Sequence, residues 1–586
     1  MVDKISRHIP RVSKHGARHP RIVDGCRCNV TADLFSQTAP TMRPAGTLTQ
    51  LLLTILLLMG VNTAVQAQNQ PNILFVFADD WGRYASAYGK LEPGTVNDLV
   101  KTPVFDQLAA EGALMTRAFV NAPSCTPCRS SLLSGQHFWR TGRGAILQGA
   151  VWDSQIPTFP LLLEQAGYQV GFTAKVWSPG TPANAPIGAG RNAVPSAGGR
   201  FNQFSQNLDR ANNPDQAKQE LINEVGTNFR KFLDSRSADK PFLYWWGPTN
   251  THRRWIRGSG LKYWQINPDD LTGHMSAHWP DVPEVREDMA DYLGEVQAVD
   301  AGLGALLQVL DDEKLRENTL IIVSGDHGVP GMPSGKCNLY DLGTAVPLVI
   351  SWPSAIPGGR VISDFVSLPD LAPTVLEFAG APVPSVMTGR SLLSILKSDR
   401  AGQVDPGRDA VLIGRERHVA AARTEQRPYP QRALRTKDFL YIHNFTPDRW
   451  PMGVAPGFGL PDAAMPGVEE LRRNTFAAFG DLDASPTKAW IVSHGLQSQE
   501  YRKYFDIAFA QRPQEELYDL MQDPEQLHNV AAHPDYQQQR EQLRQRLMDS
   551  LRETGDPRVT ETPVPYEHPP FTDMFRRGGD AGNRKR

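Results

Sequence analysis

Four short stretches of this chain hold residue types that do chemistry when brought together. Asp79-Asp80 sets two carboxylates side by side after the apolar run Asn72 to Phe77. Adjacent carboxylates repel, and each resists ionising next to the other. A bound hard divalent cation removes that cost; a solvated loop or a helix cap explains an isolated pair as well. Gly325-Asp326-His327-Gly328 adds a third carboxylate and an imidazole after a second apolar run, Thr319 to Val323. Lys175, His252 and Lys336 stand at or just past comparable positions. Singly each reads as a surface charge; around the same carboxylates they make an anion-binding set. The fourth stretch, Ser124 to Gly135, holds Cys125, Pro127, Cys128 and Arg129.

That stretch has two functional readings. Cys125-Thr126-Pro127-Cys128 at a helix start suits a thiol–disulfide redox pair, which leaves Arg129 and Leu133-Ser134-Gly135 without a purpose. The whole string follows Cys-x-Pro-x-Arg-x-x-x-Leu-(Ser/Thr)-Gly and resembles the signature of the type I, formylglycine-dependent sulfatases. Cys128 falls at a variable position of that signature, where a small buried side chain suffices.

The resemblance implies an alkaline-phosphatase-like fold and a definite set of roles. Cys125 is oxidised to formylglycine by a maturation enzyme that reads Pro127 and Arg129. One divalent metal, Ca2+ by family, is held by Asp79, Asp80, Asp326, His327 and the group at position 125. The family usually has Asp-Asn-Gly where this chain has Asp326-His327-Gly328. Imidazole suits a hard ion less well than an amide oxygen, so His327 either ligates, with a softer ion such as manganese as one option, or stands behind the ligands. The hydrated aldehyde attacks sulfur through one hydroxyl and expels sulfate through the other. Arg129 orients it, Lys175 and Lys336 clamp sulfate oxygens, and His252 protonates the leaving group, as a near-neutral imidazole suits. Trp177 stands where the family pattern Gly-Lys-x-His expects histidine. Asn338-Leu339-Tyr340, Gly343-Thr344-Ala345, Thr388 to Leu393 and Pro430 to Asn444 are similar to the heparan N-sulfatase (sulfamidase) branch. That branch implies glycosaminoglycan degradation and a sulfated saccharide substrate, with the N-sulfate of heparan-type glucosamine as one form.

These residues need a frame that gathers strand ends. Apolar runs at Asn72–Phe77, Tyr168–Val176, Pro241–Trp246, Thr319–Val323 and Pro347–Trp352 read as strands buried on both faces. Helical patterns lie between them at Val104–Met115, Phe159–Gln165, Val285–Leu310 and Leu371–Phe378. Such alternation predicts an α/β domain with a mainly parallel sheet flanked by helices, whose ligands bind beyond the strands' carboxyl ends. The expected organisation is a catalytic domain over 71–400, a polar linker near 397–409, a smaller C-terminal α+β domain over 401–555 and a disordered tail over 556–586.

The composition bounds the rest. Of 586 residues, 40% are hydrophobic and 21% charged, which excludes wholesale disorder and polytopic membrane architecture. A net charge of -2 argues against nucleic-acid binding. Residues 1–46 carry eight Lys/Arg against three Asp. Leu51 to Val61 is too short to span a bilayer but suits a signal-peptide core, with cleavage after Ala67 and a mature start near Gln68. Residues 1–67 are thus expected to be an extension plus a cleavable signal, giving a periplasmic or secreted protein without a stable membrane anchor. The remaining Cys125, Cys128 and Cys337 make no disulfide framework.

Substrate contacts are expected above the strand ends and from the second domain, with Arg417, His418 and Arg435 for a sugar carboxylate or second sulfate and Trp255 for ring stacking. Three rivals stay open. One is a phosphatase or phosphodiesterase of the alkaline-phosphatase superfamily; the others are the redox pair and a glycan-binding pseudo-enzyme.

Overall fold

Seven strands build the central sheet: β1 (Asn72–Ala78), β2 (Ala113–Met115), β3 (Gln169–Ala174), β4 (Phe242–Gly247), β5 (Thr319–Gly325), β6 (Leu348–Ser351) and β7 (Arg360–Ile362), in the order β3-β4-β1-β5-β6-β2-β7. The computed structural model describes residues 70–461 and 463–573. The signal-like stretch and basic extension, and the chain beyond 573, lie outside the described residues. β1 pairs in parallel with β4 and β5, and β3 with β4. β6 runs antiparallel to β5 and β2; an apolar run carries no mark of strand direction.

β1 shows why the sheet is central. Leu74, Val76 and Ala78 enter one apolar cluster with α1 (Pro103–Glu111), α4 (Pro214–Asp234) and α5 (Pro283–Asp312). Ile73, Phe75 and Phe77 enter the opposite cluster with α2 (Cys125–Ser134), α3 (Phe159–Gln165) and α6 (Leu371–Phe378). The period-2 alternation of a strand supplies both faces, so every residue of β1 is buried. Phe75 stacks on Trp245 with ring centroids 4.6 Å apart; truncating such a ring to Ala costs about 3–5 kcal/mol. α5 is long and apolar enough to cross a membrane, but 78% of its apolar window is buried in the core.

The predicted helix Val104–Met115 divides in two. It ends at Glu111, and Ala113–Met115 pair as β2. Gly112 makes the break: a Cβ there would lie 2.4 Å from the Ile350 carbonyl oxygen. α4, not foreseen from the sequence, buries Leu221, Val225, Phe229 and Phe232 along one face.

A second, antiparallel sheet comprises β8 (Ala410–Arg415), β9 (Gln431–Thr436), β10 (Phe439–Asn444) and β11 (Glu515–Asp519). α7 (Gln537–Glu553) sets Leu543, Leu547 and Leu551, spaced one helical turn apart, on Leu434, Tyr441 and Leu517. The other face, Val411, Ile413, Ala433, Leu440 and Ile442, meets Phe119, Leu339 and Phe365. The expected linker is pinned. Val404 and Asp405 donate backbone N–H groups to Asp364, and buried Arg408 pairs with Asp370.

Disorder from residue 556 does not hold for 556–573. Asp556 is fully buried as a partner of Arg432, and the Tyr566 hydroxyl donates to the Trp139 carbonyl. Composition suggested a tail because its prolines and charges were read without the partners they meet.

Candidate active site

The sheet delivers its polar residues to one place. Asp79 and Asp80 follow β1, Asp326 and His327 follow β5, and Lys175 follows β3. Backbone bonds lock the strand ends together: Asp79 N donates to Pro248 O and Asp326 N to Ala78 O. Asp80 turns away from the strand with φ 56°, a left-handed conformation that Asp tolerates better than most residues. Its N–H donates to Asp326 Oδ1 at 2.7 Å, and its carbonyl accepts the Tyr292 hydroxyl at 2.9 Å. Gly325 permits this approach, since a Cβ there would sit 1.9 Å from the Trp81 carbonyl oxygen.

α2 brings in the thiol. Cys125 is its first residue, so the unpaired amides and positive dipole end of the first turn lie at the site. The helix is buried throughout, and its polar side chains find local acceptors: Thr126 donates to Pro179 O and Ser130 to Gly144 O. Arg129, fully buried, extends over the Phe77 ring at 4.9 Å. It donates through Nε to Asp326 Oδ2 at 2.9 Å and through Nη2 to Asp79 Oδ1 at 3.2 Å. Lys175 Nζ adds a 2.6 Å bond to the same Asp79 oxygen. Lys336 Nζ lies 3.0 Å from Asp80 Oδ2 and 3.2 Å from Asp483 Oδ2. Asp483 carried no sequence signal and enters the site through this ion pair.

The two histidines are oriented by backbone carbonyls. A carbonyl can only accept, so His327 Nδ1 donates to Gly328 O and His252 Nδ1 donates to Arg253 O. His327 Nε2 thus faces Asp80 Oδ1 at 3.2 Å, Asp326 Oδ1 at 3.5 Å and Cys125 Sγ at 3.3 Å. His252 Nε2 lies 3.8 Å from Asp80 Oδ2, with the side chain 37% exposed at the mouth.

Charge follows from this crowding. Burial raises a carboxyl, but Lys175 and then Arg129 outweigh it and hold Asp79 well below the usual range. Asp326 is pushed up by burial despite His327 and Arg129. Burial opposes the charge on Lys336, yet Asp483 and Asp80 hold its ammonium well above normal. Burial and then Asp79 raise the Cys125 thiol.

The donor set fits a divalent cation. Ligand atoms of Asp80, Cys125 and His327 lie within 4.8 Å of one another, as do those of Asp79, Cys125 and Asp326 and those of Asp79, Asp80 and His252. An imidazole lone pair 3.2 Å from a carboxylate oxygen is unfavourable unless a proton or a cation lies between them. Carboxylate oxygens suit a hard ion, and one nitrogen is tolerated.

All nine residues from the four clusters thus converge. The three expected saccharide contacts do not join them as free donors. Arg435 forks onto Asp341 through Nε and Nη2 at 2.9 and 2.8 Å. Arg417 is buried and donates to Gln148 O and Asp573 O. His418 is buried against Ser124 Oγ at 2.8 Å, and burial holds it neutral, down to about 3. Each was read as a substrate contact because the sequence does not show the partner it meets in the fold. Cys128, like Cys125, is a free and buried thiol, and it packs in the apolar cluster with Leu132 and Leu133. Trp177, where histidine was expected, is a core residue whose Nε1 donates to Ser130 Oγ at 2.8 Å. Trp245 and Trp246 are core residues too.

Sequence and structure comparisons meet at this geometry. Residues 71–381 match the sulfatase family model, and residues 333–452 match the model for the C-terminal part of N-sulphoglucosamine sulphohydrolase. The chain belongs to the sulfatase family, hydrolases of sulfuric esters and sulfamides. The N-sulphoglucosamine sulphohydrolase of Homo sapiens is 28% identical over 520 residues, covering 83% of this chain and 91% of its own length. An ulvan-active sulfatase of Formosa agariphila is 26% identical over 512 residues, covering 84% of this chain and 77% of its own. A protein solved in complex with its substrate D-glucosamine-2-N,6-O-disulfate has a TM-score of 0.54 at 18% identity, covering 83% of this chain and 98% of that one. The fold is alkaline-phosphatase-like, a mostly parallel sheet between helices with a C-terminal antiparallel sheet.

Proposed function

We propose that this protein is an exported sulfatase that removes sulfate from a sulfated carbohydrate, the N-sulfate of heparan-type glucosamine being the favoured bond. The observation that carries the reading is Cys125 at the first position of a buried helix, 3.3 Å from His327 Nε2 among three carboxylates and three fixed cations. Family membership and the human relative's name support the substrate class. An O-sulfate on another polysaccharide, as in the ulvan-active relative, is the second form of the same reading.

Position 125 is proposed to carry formylglycine, installed by a separate maturation enzyme; when hydrated it supplies a geminal diol that attacks sulfur and later expels sulfate. A divalent cation, calcium first and manganese second because of His327, would be held by Asp79, Asp80, Asp326 and His327 and would offset anionic charge. The chain's own residues do the rest. Arg129, fixed by two carboxylates and by the Lys175 and Val176 carbonyls, cannot swing and so aligns the group at 125. Lys175 and Lys336 bring ammonium groups to either side of the carboxylates, where sulfate oxygens need countercharge. His252, half-exposed with Nδ1 already donating, turns Nε2 inward to deliver a proton to the departing atom. Asp483 holds Lys336 from behind.

Export to the periplasm or medium is proposed from the signal-like segment ending at Ala67. The activity is tested by kcat/KM on 4-nitrophenyl sulfate and 4-nitrophenyl phosphate. A preference for sulfate is expected; a preference for phosphate supports the phosphatase rival.

A further inference from the structure

A cavity of roughly 530 Å³ opens between the loop after β4 and the segment 469–486. Its walls continue directly from the active site on two sides. Arg253 and Arg254 follow His252, and Ala484 follows Asp483. Five arginines line it. Four are already engaged: Arg253 forks onto Asp288 at 2.7 and 2.9 Å, Arg257 pairs with Glu287, and Arg472 and Arg473 share Glu469. Arg254 differs. Its backbone carbonyl accepts from Gln206, its side chain is exposed, and among the described residues its guanidinium has no carboxylate partner. The cleft is therefore a hollow of sugar-binding size whose five arginines outnumber Asp288, Asp291 and Glu469, adjacent in sequence to the site on each side, with Arg254 lacking a carboxylate partner among the described residues. A guanidinium binds sulfate or carboxylate through paired N–H groups, which a lysine does not do.

We infer that this cleft is the subsite for a second anionic group of the saccharide, a sulfate or a uronic carboxylate, and that Arg254 receives it. The ligand's identity rests on the reading above; the cleft and its free charge do not. It also supplies an exposed donor, which buried Arg417 and His418 and the Asp341-bound Arg435 do not.

The test uses the full chain with Cys125→Ala to stop turnover, and measures Kd by calorimetry. The probes are D-glucosamine-2-N,6-O-disulfate, an N-sulfated glucosamine linked to a uronic acid, and inorganic sulfate. Adding Arg254→Ala should weaken one of the two saccharides about tenfold relative to inorganic sulfate, the scale of one charge-assisted contact. Arg254→Lys should recover part of the loss. A loss on the disulfate assigns the second sulfate; a loss on the disaccharide assigns the carboxylate. If both ratios stay where they were, the subsite is overturned. Wild-type hydrolysis of 4-nitrophenyl sulfate is scored separately: turnover with unchanged ratios sinks the subsite alone, while a tenfold ratio without turnover sinks the sulfatase reading and leaves the subsite standing.

Discussion

Among the described residues, the buried charges at the strand ends and those beside the second sheet are built differently. Beside the second sheet, Arg432 donates to both oxygens of Asp556 and to Glu416. Arg558 forks onto Glu416 and reaches Glu567, while Arg415 and Arg423 share Asp481. The Arg432 and Arg558 forks meet carboxylate oxygens and close that part of the cluster, while Arg415 Nε and Arg423 Nη1 stay buried without a hydrogen-bond partner. At the strand ends, cations take one side of each carboxylate: Asp79 Oδ1, Asp326 Oδ2 and Asp80 Oδ2. Asp80 Oδ1 and Asp326 Oδ1 instead face His327 Nε2. Buried charge is thus no sign of function by itself. Carboxylate oxygens gathered on an imidazole nitrogen and a thiol are, because a proton or a cation among them lowers their energy.

The contrast is broken most sharply at position 125. Cys125→Ala should lower sulfate-ester turnover at least about a thousandfold, as loss of a nucleophile does, with little shift in thermal midpoint; turnover within a few-fold of wild type would refute the role. Arg432→Ala should do the reverse. It strands buried Asp556 and Glu416 and should cost about 3–5 kcal/mol, read from the denaturant midpoint, while the folded fraction keeps its kcat. A loss below about 1 kcal/mol would mean that the cluster is not closed.

A chelator separates the two clusters in one experiment. With cation at about a hundred times its Kd, removal should cost about 2.7 kcal/mol by linkage, and Asp80→Asn should abolish most of that shift. Arg432→Ala should leave the chelator shift in place. If chelation moves neither stability nor turnover, the open cluster holds no cation.

The smallest effect lies outside both clusters. Glu295 accepts from Ser205 N and Asn250 Nδ2, both neutral, and burial pushes it up to about 7. Its folded value lies above the ordinary 4.5, so the folded state keeps a proton that the unfolded chain releases. The stability it contributes is full below about pH 4.5 and is lost as pH rises through 7. Glu295→Gln should flatten that slope, making the variant more stable relative to wild type at pH 8 than at pH 4. Parallel pH profiles would contradict the assignment.

The sequence was most legible where one run fixes both structure and chemistry. Asn72–Phe77 is apolar on alternate faces and ends in carboxylates, so its place as a central strand with polar ends could be read directly. Cys125 to Gly135 carried its own signature. Strand direction at Leu348–Ser351 was not legible, because both directions bury the same side chains. α4 could have been found from the helical spacing of Leu221, Val225, Phe229 and Phe232. Asp483 and Arg254 could not, since an acidic or basic residue in a loop gains meaning from partners far away in the chain. Arg417 and Arg435 show the converse error: charge in a suggestive motif was read as recognition, and the fold uses it to hold backbone and Asp341 in place.

The most direct measurement is peptide mass spectrometry across residues 118–129 of the active protein purified from its native host, between the cleavage sites after Arg117 and Arg129. The account predicts an aldehyde or its hydrate at position 125 in the active fraction, with activity scaling to its occupancy. An intact thiol at position 125 in fully active protein, or a disulfide to Cys128, would contradict it.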